Sequence, residues 1–197
     1  MSLHNEIGPD MRAPRLARAD LLAQAVALSS SGVGGYVLES VVLVACAAHH
    51  LAGIGFRMLI GAAWQERPQP VQRARAFTAV QVVIWACCLL LAVGVVPMGA
   101  HSIFHADSLA SLQVAVYALP GVAAAVTSAL LVRPARQAGL KHSGVDAWLA
   151  AVPSALAFAV AFSGPQAQAG TIDAAVGVAI VLLLPLRALL HLGRLLN

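Results

Sequence analysis

Apolar residues run along this chain in blocks of about twenty, separated by short polar clusters that carry most of its charge. A helix rises about 1.5 Å per residue, so roughly 20 apolar residues in a row can cross the hydrocarbon of a bilayer. Four blocks meet that length plainly, at residues 36–62, 76–96, 108–132 and 172–192. A fifth, at 143–163, is strongly apolar after Asp146. The weakest lies at 18–34, where Ser29, Ser30 and Ser31 interrupt a modest apolar run. Gly32, Gly34 and Gly35 follow it and predict a tight turn into the second span. The pattern therefore predicts an all-α protein, one transmembrane domain over residues 1–197 built as a bundle of six membrane helices.

The basic residues test the number of spans, because Lys and Arg concentrate in cytoplasmic loops. Arg12, Arg15 and Arg18 precede or open the first span, and Arg67, Arg73 and Arg75 fill the loop after the second, with Arg57 near its end. Arg133, Arg136 and Lys141 follow the fourth span, and Arg187 and Arg194 close the chain. The intervening loops, around 33–35, 97–107 and 164–171, hold no Lys or Arg. With six spans all 12 basic residues fall on one side. Five spans would strand the first three opposite the rest. The expected topology has both termini in the cytoplasm, with a bacterial inner membrane as the expected location.

Composition agrees with that pattern. Charged residues make up 10% of the chain and hydrophobic ones 60%, against roughly a quarter and a half in soluble domains. The net charge of +4 does not point to nucleic acid, since the basic residues form loop clusters, not one stripe. They are read as topology signals and contacts to anionic lipid. Cys46, Cys87 and Cys88 all fall in apolar blocks, and adjacent cysteines are poor disulfide partners. No apolar stretch of signal-peptide type follows the first charges. The loops are too short for a soluble catalytic domain, so no enzyme activity is expected.

Ionisable groups inside hydrocarbon are costly and mark function by default. Those singled out as candidates within or at the edge of the expected spans are Glu39, His49, His50, Arg57, His142 and Asp146. Arg57 reads as a side chain snorkelling to the interface, and Glu39 as reaching interfacial water. Asp173 and His191, at the two ends of the last span, read as interfacial. Gln81 and Gln113 are candidates for hydrogen bonds between helices. His101 and His105 flank an external loop and read as solvated.

Two clusters stand out. Cys46 and His50 lie four residues apart in the second span, with His49 beside them, and His142 and Asp146 repeat the spacing at the fifth. Residues four apart share a helix face, one turn from each other. Cys, His and Asp are zinc ligands, and zinc takes four in a tetrahedron. Two ligands from each of two helices complete such a set, and thiolate with imidazole favours a borderline-soft ion over Mg²⁺ or Ca²⁺. The plainer alternative pairs Asp146 with Lys141 and leaves the histidines as packing residues.

This layout resembles the cation diffusion facilitator family of zinc and manganese exporters, in its minimal form without a C-terminal cytoplasmic domain, the transmembrane protein 163 type. The resemblance covers roughly residues 15–195. His142-xxx-Asp146 is similar to the family's metal motif on the fifth helix, and Asp173 opens the last span as an acidic residue commonly does there. On the second helix the family carries an acidic pair, and this chain has either Cys46 and His50, or Ala45 and His49, at the matching positions. The resemblance implies Zn²⁺ as transported or bound ion, held by Cys46, His50, His142 and Asp146, with His49 as second choice. It further implies alternating access, in which one helix group rocks against another. Metal ligands bind deprotonated, so proton exchange is the implied coupling. Membrane lipid and a divalent cation are the expected partners, no organic cofactor or nucleic acid is expected, and a homodimer is left open. A b-type haem protein with His50 and His142 as axial ligands, and a structural subunit with no ion path, are the alternatives.

Overall fold

The structure, a computed structural model, is described over residues 9–65, 93–95, 97–100, 111–137, 144–162 and 170–184, with side chains over 18–55, 93–95, 97–100, 112–131, 151–162 and 170–184. Among these residues every regular element is helical. The long helices are α1 (Pro9–Val37), α2 (Val41–Gln65), α3 (Ser111–Gln137) and α4 (Gly144–Val160), followed by α5 (Gly170–Leu184). α1 packs along both α2 and α3, and α4 packs on α3 and, over a smaller area, on α2. Four expected spans, 18–34, 36–62, 108–132 and 143–163, fall largely on α1 to α4, and the last lies on α5 as far as residue 184. The 76–96 block lies outside the described residues apart from 93–95. Among the described residues one helix, over Leu112–Leu131, is long and apolar enough to cross a membrane, while the apolar stretches Val41–Gly55, Ala151–Val160 and Gly170–Leu184 are shorter.

The turn between the first two helices is not where the glycines predict it. Residues 33–35 are helical, and α1 ends instead at Leu38 and Glu39. Glu39 takes a φ of 52°, the left-handed position that closes a helix, and the Ser40 N–H reaches back to the Gly35 carbonyl at 3.2 Å. The glycines serve close approach. A Cβ on Gly34 would overlap the Tyr117 side chain of α3, and one on Gly35 would lie 2.7 Å from Val44 Cγ2 of α2. Ser30 reinforces the α1–α3 crossing by donating to the Tyr117 carbonyl at 2.9 Å. Left-handed backbone is strained for any residue with a Cβ. Glu39→Gly is therefore expected to stabilise the protein by about 1 kcal/mol. A thermal midpoint in detergent that falls on this substitution would contradict the assignment.

Apolar side chains lie both inside the bundle and on its outer faces. The helices turn apolar faces outward: Leu22 and Val33 of α1 are 67% and 55% exposed, and Leu112 and Leu130 of α3 are both 71% exposed. On α3 the exposed positions 112, 116, 119, 126 and 130 trace one stripe at helical spacing. Asp20, Gln24, His49, His50, Ser128, Ser154 and Asp173 are buried within. Around α2, Val41, Val42, Leu43 and Cys46 form the centre of the apolar core, closed by Ala118 of α3, Ala157 of α4 and Ile180 of α5.

Candidate functional site

Two polar clusters occupy the interior, both touching α2. The first sits at its N-terminus, where the opening N–H groups of a helix lack intrahelical acceptors. Ser40 is the capping residue, and its Oγ accepts the Leu43 N–H at 3.3 Å. The remaining donors are met from another helix. Asp173 Oδ2 accepts the N–H groups of Val41 at 2.6 Å and Val42 at 3.3 Å, and Oδ1 accepts the Ser40 hydroxyl at 2.6 Å. Asp173, expected at the interface from its place at the start of a span, is 1% exposed and committed to the N-terminus of α2. Gly177, one turn further along α5, lets the two backbones meet. A Cβ there would lie 2.8 Å from the Val41 carbonyl carbon.

The second cluster crosses four helices. On α1, Asp20, Gln24 and Ser31 lie on the buried face, with Ala27 between them. Their spacing of four, three and four residues is the repeat of a single helix face. From that face Gln24 Oε1 meets His50 Nδ1 of α2 at 2.7 Å, and Gln24 Nε2 donates to Ser128 Oγ of α3 at 3.2 Å. Ser128 in turn donates to Asp20 Oδ1 at 2.5 Å. The other imidazole nitrogen, His50 Nε2, lies 3.3 Å from Ser154 Oγ of α4. Gly121 lets the α3 backbone close on this junction, since a Cβ would stand 2.8 Å from Ser154 Oγ and 3.1 Å from His50 Nε2. Buried polar groups are expensive unless hydrogen-bonded, and this chain of bonds answers the requirement in series. Ser31 Oγ, on the same α1 face, has no hydrogen-bond partner among the described residues.

Of the four proposed metal ligands, Cys46 and His50 share the face of α2 that meets α4. Cys46 Sγ donates to the Pro153 carbonyl at 3.3 Å, and His50 approaches the next residue, Ser154. The second and fifth expected spans therefore do touch through these two side chains. His142 lies outside the described residues. Asp146 lies on α4, eight residues before Ser154 and so about 12 Å away along the axis, and its side chain is outside the described set. His49, the second choice on α2, is buried. Among the described residues no group of three or more His, Cys, Asp and Glu is placed to hold a metal ion.

Three members of the four-helix cluster besides His50 carried little signal. Asp20 stands two residues after Arg18 at the start of the weakest span, which reads as interface. Its spacing of four from Gln24 was the usable clue. Ser128 and Ser154 are too ordinary in membrane helices to stand out. Of the two glutamines expected to bridge helices, Gln113 is exposed on α3 and Gln81 lies outside the described residues; Gln24 bridges three helices.

Fold and site together define an all-helical bundle with a hydrogen-bonded polar cluster in its interior, and among the described residues one helix is long and apolar enough to cross a membrane. Comparison of the chain with protein-family models and with curated proteins returns no match.

Proposed function

We propose that the chain is a polytopic membrane protein of six spans, with both termini cytoplasmic, that moves a divalent cation of the Zn²⁺ type. Movement is by alternating access coupled to protons. The membrane placement is supported by outward-facing Leu and Val on α1 and α3 around a polar interior, together with the one-sided distribution of Lys and Arg. The observation that carries the transport reading is His50, a titratable imidazole held at a junction of polar side chains from α1, α2 and α4, on the same helix face as Cys46.

In this reading Cys46 and His50 supply one pair of ligands, and His142 with Asp146 the pair that the resemblance to the cation diffusion facilitator family implies; Asp146 lies about 12 Å along α4 from the level of His50, so the two pairs serve the ion at successive points of its path. The ion enters from the cytoplasm, displaces protons from its ligands and leaves outward as the helix groups rock. Purified protein in proteoliposomes is expected to move Zn²⁺ down an imposed gradient, faster with an opposing proton gradient. His50→Ala and Asp146→Ala are expected to reduce the flux to the protein-free background. Unchanged flux in both variants would refute the site.

A second reading, a structural subunit with no ion path, draws on the engagement of both His50 nitrogens by Gln24 and Ser154. It expects the wild-type protein itself to give background flux.

A further inference from the structure

The four-helix cluster has a direction, and the direction specifies His50. Ser128 donates its one hydroxyl hydrogen to Asp20 Oδ1. Toward Gln24 its oxygen can then only accept, so the NH₂ end of the Gln24 amide faces Ser128. The amide oxygen is left facing His50 Nδ1 at 2.7 Å. A carbonyl oxygen cannot donate, so the hydrogen in that contact belongs to Nδ1. In the neutral imidazole, Nε2 then carries the lone pair.

We propose that Asp20, acting through Ser128 and Gln24, fixes His50 as the Nδ1–H tautomer and makes Nε2 its cation-binding nitrogen. Nε2 faces the junction where Ser154 of α4 and the bare backbone of Gly121 meet α2. Asp20, Ser128 and Gln24 are positioning residues. They stand to His50 as an acceptor behind a metal-bound histidine stands to its ring, setting tautomer and orientation. The tautomer assignment stands on the bonds alone, and the binding of a cation at Nε2 rests on the transport reading above. No element of this cluster except His50 belongs to the ligand set expected from the sequence.

The test is ¹⁵N NMR of full-length protein labelled at histidine, reconstituted in lipid without metal, with the His50 signals identified by their loss in His50→Asn. The neutral ring is expected to show a protonated Nδ1 and an unprotonated Nε2. A protonated Nε2 with bare Nδ1 in the wild-type protein overturns the proposal and requires no variant to fold. In Asp20→Asn, whose amide can donate to Ser128, the chain can run either way, and a mixture of both tautomers is expected. Asp20→Glu is expected to keep the wild-type pattern. An unchanged single tautomer in folded Asp20→Asn overturns the role of Asp20. On addition of Zn²⁺ to the wild type, displacement of the Nε2 signal is expected, and coordination at Nδ1 overturns the proposal. If Zn²⁺ moves neither nitrogen while the tautomer is as stated, the metal assignment to Nε2 falls together with the transport reading, and the tautomer assignment stands.

Discussion

Asp173→Ala is expected to destabilise the bundle by roughly 3 kcal/mol or more, the largest loss from any single side chain described. Three donors lose their acceptor together: the Ser40 hydroxyl and the N–H groups of Val41 and Val42. Ser40, Val41 and Val42 are at most 1% exposed, so no solvent replaces the carboxyl. Leaving a buried donor unsatisfied costs about 1–3 kcal/mol. Asp173→Asn retains one acceptor oxygen and should lose markedly less. Thermal unfolding of the purified protein in detergent checks both variants. Equal midpoints for Ala and Asn would show that the carboxyl is not holding the start of α2.

Gly177→Ala is expected to cost about 3 kcal/mol, at the upper end of overpacking effects. The added methyl would stand 2.8 Å from the Val41 carbonyl carbon and 2.9 Å from the Val42 nitrogen. These are backbone atoms, and moving them means moving the turn that Asp173 caps. Gly55→Ala is the matched control, since nothing lies within 4 Å of a Cβ there. It should be neutral, or stabilising by up to about 1 kcal/mol through helix propensity. Similar losses in the two variants would mean that the α2–α5 approach is not close. Asp173 and Gly177 together tie the N-terminal ends of α2 and α5. Under the proposed transport cycle, rocking must carry these two ends as one unit.

The polar cluster around His50 and the cap at Asp173 differ in how far they could be read in advance. The Cys46–His50 spacing correctly put both side chains on one face of α2, because a four-residue step on a helix allows little else. Which helix that face meets is a long-range matter, and so is the choice of Gln24 over Gln113 as the bridging amide. Both glutamines interrupt apolar helices, and only the packing turns one inward and the other out. Asp173 shows the same limit. An acid at the start of a span is read locally as interfacial, whereas its acceptor role depends on the N-terminus of α2 arriving beside it.

By itself the sequence determined the helices: apolar blocks of the length that demands satisfied backbone groups, and glycines dense enough for close contact. It did not determine how those glycines are used. Gly34 and Gly35 carry turn chemistry in their identity, yet the turn falls on Glu39, and the glycines face Tyr117 and Val44. In place of a turn, those two glycines let α1 pack closely on α3 and α2. Only the tertiary structure decided that Asp20, Ser128, Gln24, His50 and Ser154 join into one chain of hydrogen bonds. Each bond links residues far apart in sequence, and each buried polar group pairs with whichever partner the packing brings within hydrogen-bonding distance.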